Sequence, residues 1–211
     1  MESDDIISMA LEIIGFSRSN FVRTVRMVAQ EKGVPYEQIP ALPHSDEVKA
    51  INPLGQVPVM RHDGLDLVES HAITQYIDTA FDGPALVPTD PREAAPINRW
   101  ICTVNTSVDQ LFMRRYVVEY AFHKDADGNV VRDEIDKAVR RLPKMFALLE
   151  AGVAKGYLGG DAFSMADCFL MPILAAVQNF SEGKENFEKS PNLQAYFAKV
   201  SERPSFAETA A

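Results

Sequence analysis

The stretch Asn52-Pro53-Leu54-Gly55-Gln56-Val57-Pro58-Val59 runs a proline into what its neighbours mark as a strand, Val57 to Met60. Proline has no N–H to give to a sheet ladder, so it belongs at an edge, a bulge or a strand start. One reading is an edge-strand proline. The other is a cis bond between Val57 and Pro58, which would turn the Val57 N–H and C=O outward, where a peptide-like ligand can pair with them as an added strand.

Working outward, Leu65 to Val68 reads as a further strand, and Asp63-Gly64 between the two runs is a hairpin signal, because both central positions of a type I′ turn need positive φ. The pair is therefore expected to be antiparallel. Ser70 to Phe81 follows as a helix. On the other side, Leu11 to Phe16 has the length and flanks of a buried strand. Phe21 to Lys32 places Phe21, Val25, Val28 and Ala29 at helical spacing, with Gly33 as the stop. Pro35 to Leu42 is extended and Asp46 to Ile51 a short helix. The order is βαβ, a short helix, then ββα.

Asp82-Gly-Pro-Ala-Leu-Val-Pro-Thr-Asp-Pro91 holds three prolines that forbid regular structure. Beyond it only helical periodicity remains. One set is Ile97, Ile101, Val104, Val108 and Leu111; the next is Ile135, Val139, Leu142, Phe146, Leu149 and Val153. Ala166, Leu170, Ile173, Leu174 and Val177 repeat the pattern, as do Leu193, Phe197 and Val200. The expected organisation is an α/β domain over residues 1–82, a linker over 83–91 and an all-helical domain over 92–211.

The 211 residues carry a net charge of −9, which opposes a phosphate backbone and disfavours nucleic-acid binding. The first 82 residues hold 6 Lys and Arg against 13 Asp and Glu, so most of the excess lies in the first domain. Met1-Glu-Ser-Asp-Asp is acidic where a signal peptide would be basic, and no apolar run approaches the roughly 18 residues of a membrane helix. Cys102 and Cys168 stand 66 positions apart and form neither a CxxC pair nor a disulfide framework, so a reducing cytoplasm is the expected setting.

Ser70 stands at a predicted helix start, where unpaired N–H groups and the positive dipole end favour a carboxylate; the plainer reading is a capping serine. Ser19 lies at or near the start of the first helix and has the same two readings. Ser164-Met-Ala-Asp167 has the form of a capping box before an apolar run, with Phe163 placed to staple the helix entry, so Asp167 reads as structural. Asp125, Asp127 and Asn129 alternate as in a calcium loop, but the glycine and glutamate of that loop are missing and a solvated turn is expected. The four histidines have no metal spacing. Cys102 and Cys168 fall in predicted helices, where a buried apolar role is the expectation.

Five pieces, in order, resemble the cytosolic glutathione S-transferases: Ser19-Asn-Phe-Val-Arg-Thr-Val25, Asn52 to Pro58, Glu69-Ser-His-Ala-Ile73, Ser164 to Asp167, and Arg203-Pro-Ser205. The resemblance spans essentially the whole chain. It implies a thioredoxin-like amino-terminal domain, an all-helical carboxy-terminal domain, a homodimer, a cytoplasmic detoxification role and glutathione as co-substrate, with no metal and no membrane or nucleic-acid partner. It implies that Ser19 is the catalytic hydroxyl, as in serine-type phi-, theta- or zeta-like enzymes, with Ser17 and Asn20 as rivals; no tyrosine lies at this turn and no cysteine precedes Cys102.

Glutathione carries two carboxylates, an ammonium and a thiol. The resemblance implies that Glu69 pairs with the ammonium and that Ser70 with its helix end takes the neighbouring carboxylate. Gln56, Val57 and Pro58 would line the peptide backbone, and His44, with Lys49 and Arg18 as alternatives, would meet the glycyl carboxylate. Phe16, Phe112, Arg115, Tyr116 and Tyr120 are expected to line the pocket for a hydrophobic electrophile, with Arg114 beside them. The alternatives are a glutathione-dependent isomerase or peroxidase of zeta type, whose Ser-Ser-Cys pattern is here Ser19-Asn20-Phe21, and a non-enzymatic binding module that keeps the fold.

Overall fold

Four short strands form one sheet in the order β2-β1-β3-β4 in the structure, a computed structural model that describes residues 10–210. The acidic start, Met1 to Asp5, lies outside the described residues. β1 (Leu11–Ile14) pairs in parallel with β2 (Tyr36–Ile39) and antiparallel with β3 (Val59–His62), which pairs antiparallel with β4 (Leu65–Val68). At the β3–β4 turn both Asp63 (φ 46°) and Gly64 (φ 78°) take the positive φ that the hairpin requires.

Two strands are shorter than their apolar runs. β1 stops at Ile14, where Gly15 begins a turn, and β2 stops before Pro40, which has no N–H for a ladder. β3 begins one residue after Pro58 rather than enclosing it.

The helices of this unit are α1 (Asn20–Glu31), α2 (Asp46–Ile51) and α3 (Ser70–Ala80). Alternation along the strands divides the core into two faces. Ile14, Val48 and Val59 form one cluster under α2, joined by Ile39, Val57 and Val68. α1 and α3 pack on one another, burying Val22, Val25, Met27 and Val28 from the first and Ile73 and Ile77 from the second. A buried ion pair links their far ends: Lys32 Nζ lies 3.4 Å from Asp78 Oδ1 and also donates to the Gly83 carbonyl at 3.4 Å. This unit runs to Ala85 and takes in the chain end from Thr209, whose carbonyl accepts from Arg26.

The second unit, Leu86–Glu208, is helical. α4 (Pro91–Thr103) opens on an Asp90 cap and continues into a π-helical stretch, Val104–Val117, and then α5 (Val118–Phe122). The expected long helix is therefore present with a wider winding over its middle. α6 (Asp133–Val139) and α7 (Leu142–Gly152) occupy what reads as one apolar repeat. Pro143 lacks the N–H needed mid-helix and sits instead in the first turn of α7. α8 (Met165–Val177) is buried along nearly its whole length. α9 (Ser181–Glu188), α10 (Pro191–Ser201) and α11 (Pro204–Ala207) complete the unit; α9 and α11 are absent from the periodicity reading.

Ser164 and Asp167 form the expected capping box at the start of α8. The Asp167 carboxylate also reaches beyond its helix, accepting from the Leu158 N–H at 2.8 Å as well as from the Ser164 N–H at 2.8 Å. Residues 124–130 close a turn in which Asp125 accepts from the backbone N–H groups of Asp127 and Asn129. Cys168 is buried, as its helix position implies, but Cys102 is exposed on α4, a correction to the expectation of burial.

Candidate functional site

Sheet register brings three of the quoted motifs to one end of the first unit. Ile14 pairs with Val59, and Val59 with Val68, so the next row holds Gly15, Pro58 and Glu69 side by side. From that row lead the turn to Ser19, the Gln56-Val57 segment and the start of α3. The Val57-Pro58 peptide bond is cis.

Each approach is held by local chemistry. Ser19 caps α1, with extended backbone (φ −68°, ψ 127°) and its Oγ accepting from the Val22 N–H at 3.5 Å. Its own N–H donates to the Phe16 carbonyl at 2.9 Å, which closes the turn. A serine oxygen that accepts in a cap still carries a proton to donate. The capping and functional readings of Ser19 are therefore compatible. Ser17 is half-buried, and Asn20 is buried within α1, its carbonyl accepting from Thr24.

Before Pro58 the chain is shaped by Asn52, which is buried. Its amide donates to the Gln56 carbonyl at 3.0 Å and its Oδ1 accepts from the Leu54 N–H at 3.1 Å. Gln56 is exposed and Val57 half-buried. His44, exposed and at φ 65°, donates its N–H to the Gly55 carbonyl at 2.7 Å, which ties the loop before α2 to this segment. Lys49 and Arg18 are exposed.

Glu69 caps α3 at φ 70°, in the left-handed region that costs a non-glycine residue about 1 to 3 kcal/mol. Its side chain is exposed and makes no capping bond to the helix. An exposed acid thus stands in a strained conformation beside a helix start. Ser70 opens α3, and burial pushes the adjacent His71 imidazole below its ordinary value, so that this helix start carries no histidine charge at neutral pH.

The residues expected around an electrophile divide between the units. Phe16 belongs to the first and is half-buried. Phe112 and Tyr116 are fully buried in the helical unit. The Phe112 ring packs 4.9 Å from that of Phe146. The Tyr116 hydroxyl donates to Glu182 at 3.0 Å and accepts from the Gly183 N–H at 2.8 Å. Tyr120 is half-buried, stacked 4.4 Å from Phe180, with its hydroxyl donating to Glu182 and accepting from Arg132. Desolvation pushes the Glu182 carboxyl up, but Arg132, Tyr120 and Ser181 outweigh it and bring it down to about 2. Sequence reasoning missed this knot because its members come from separate elements. Arg115 is exposed, and Arg114 pairs with the buried Asp109 at 2.9 Å. A cavity of about 180 Å³ lies among Val153, Asn192, Tyr196 and Lys199, and none of the expected site residues lines it.

Among the described residues no group of three or more His, Cys, Asp or Glu side chains is placed to hold a metal ion, and no helix is long and apolar enough to cross a membrane.

A four-stranded sheet of this order, a proline-led third strand and a helix opening beside a strained acid define a thioredoxin-like domain joined to a helical one. Residues 13–85 match the family model for the glutathione S-transferase N-terminal domain, and residues 110–204 match that for the C-terminal domain. The chain belongs to the glutathione S-transferase family and is a transferase of that class. It is 28% identical to glutathione S-transferase GstB of Escherichia coli K12, over 90% of this chain and 93% of that protein. It is 30% identical to the stringent starvation protein A homolog of Haemophilus ducreyi, over 92% and 87%. The theta-class glutathione S-transferase from Xanthomonas axonopodis pv. citri, solved with glutathione bound, superposes with a TM-score of 0.82 at 27% identity, covering 95% of this chain and 96% of that one.

Proposed function

We propose that this chain binds glutathione along the row Gly15, Pro58 and Glu69 and conjugates it through its sulfur to a hydrophobic electrophile, with Ser19 as the hydroxyl that stabilises the thiolate. The reading rests first on the capping geometry of Ser19, which stands at the positive dipole end of α1 and keeps a proton to donate. A free thiol with a pKa near 8.5 is only about 3% ionised at pH 7. Lowering it by about 2 units requires about 2.7 kcal/mol of preference for the thiolate. One charge-assisted hydrogen bond and the end of α1 together have that size.

In the reaction the thiol proton leaves to solvent and a sulfur lone pair forms a C–S bond to the electrophile. The displaced electron pair departs with a leaving group or is protonated. Glu69 pairs with the ligand ammonium, and Ser70 with the start of α3 takes the adjacent carboxylate. Gln56 and the Val57 backbone pair with the peptide, and His44, Lys49 or Arg18 meets the glycyl carboxylate. Residues 1–82 serve as the glutathione-binding domain, 83–91 as linker and 92–211 as the helical domain. The active form is a cytoplasmic homodimer with a detoxification role; light scattering should give about twice 23.4 kDa, and a monomer mass contradicts the dimer.

Incubation with glutathione and a panel of hydrophobic electrophiles tests the reaction, and a thioether product is expected. A second reading, a binding module without turnover, is favoured by the relative that carries a starvation-protein rather than a transferase name. Glutathione binding with no product from any electrophile would support the module and contradict the transferase.

A further inference from the structure

Gly15 is the point where strand, helix and proline bend meet. A Cβ on it would stand 2.7 Å from Val22 Cγ2 on α1 and 3.0 Å from the Val57 Cβ, closer than side-chain atoms pack, so only glycine fits between them. Both backbone groups of this glycine are held from β2. Its N–H donates to the Ile39 carbonyl at 2.9 Å, and its carbonyl accepts from Gln38 Nε2 at 3.0 Å. Gln38 is half-buried, and no donor among the described residues reaches its buried Oε1. A buried amide oxygen left without a donor is unfavourable, and a leucine or methionine would avoid it; the residue is explained by what its Nε2 holds.

We propose that Gln38 is a positioning residue for the transferase site: its carboxamide fixes the carbonyl of Gly15 and with it the start of the Phe16–Ser19 turn. The far end of that turn is tied by the Ser19 N–H to Phe16 and by the α1 cap; of the two bonds that hold its near end at Gly15, Gln38 supplies the one to the carbonyl that leads into the turn. Freed there, the turn lets the Ser19 hydroxyl move relative to a bound sulfur, although nothing in the glutathione-binding row is removed. The inference rests on the Ser19 reading above.

Two near-isosteric variants test it, Gln38→Met, which deletes the donor, and Gln38→Glu, which replaces it with an acceptor facing a carbonyl. The pKa of glutathione bound to each is read from ultraviolet thiolate absorbance, together with kcat and the KM for glutathione. The expected result is a sulfur pKa raised by about one unit and a kcat near neutral pH lowered about tenfold, with KM changed less than about twofold, in whichever variant folds and more strongly in Gln38→Glu. A loss confined to KM, or a sulfur pKa unchanged in a folded variant, overturns the proposal. The wild-type value separates the two claims. An ordinary thiol pKa in the wild type defeats the Ser19 reading, whereas a depressed value that survives in Gln38→Met defeats only the role of Gln38.

Discussion

Under the proposed function the Ser19 hydroxyl serves structure and chemistry together. As an acceptor it satisfies one of the orphan amides of α1; as a donor it remains available to an anion at the same helix end. Replacing it should affect the two roles unequally. Ser19→Ala is expected to cost about 1 kcal/mol of stability through the lost cap and to keep glutathione binding, while lowering conjugation about 100-fold. Unchanged turnover in a variant with that modest loss of melting temperature would remove Ser19 from the mechanism. Under the proposed function Glu69 is the counterpart on the binding side: its positive φ is tolerated although its side chain makes no capping bond to the helix it precedes.

At the scale of elements, the α8 cap is the clearest stability device. Asp167 is buried and accepts from the N–H groups of both Ser164 and Leu158, so it joins the helix start to the chain before it. Asp167→Ala takes the acceptor from the Leu158 and Ser164 N–H groups and the Ser164 hydroxyl and should cost about 3 kcal/mol in chemical denaturation, with the sulfur chemistry unaffected in the folded fraction. Desolvation pushes the Asp167 carboxyl up to about 6 despite those hydrogen bonds. A carboxyl raised in the folded state binds protons there that the unfolded chain releases, so this group adds stability as pH falls through about 6 towards its unfolded value. Comparing denaturation near pH 7.5 and pH 5, the wild type should gain relative to Asp167→Asn. Equal pH dependence in the two proteins would contradict the raised value.

Legibility from sequence also varied by element. Asp63-Gly64 announces its turn because few residue pairs accept two positive φ angles, and the Ser164–Asp167 spacing announces its cap. The break between α6 and α7 was concealed because Val139 and Leu142 keep the apolar rhythm across it. α9 was concealed because Ser181-Glu-Gly-Lys-Glu-Asn-Phe-Glu188 buries only Gly183 and Phe187, too few positions for a period. The surroundings of Phe112 and Tyr116 were concealed too, because the ring of Phe146 and the carboxylate of Glu182 that they meet lie far along the chain.

At the scale of the whole molecule, an acidic chain is set to take up a ligand with two carboxylates. With a net charge of −9 and most of the excess in the first 82 residues, long-range attraction cannot gather such a ligand. Under the proposed function attraction is local, from the positive dipole ends of α1 and α3 and from exposed cations such as Lys49 and Arg18. The sheet register supplies the locality by setting Gly15, Pro58 and Glu69 in one row, so motifs 15 to 69 positions along the chain meet at one edge of one unit.

The most direct test is the acidity of glutathione bound to the native protein, followed by thiolate absorbance across pH. The account predicts a sulfur that is mostly ionised at pH 7, about 2 units below the free thiol. A bound sulfur that titrates as it does in free solution would contradict it.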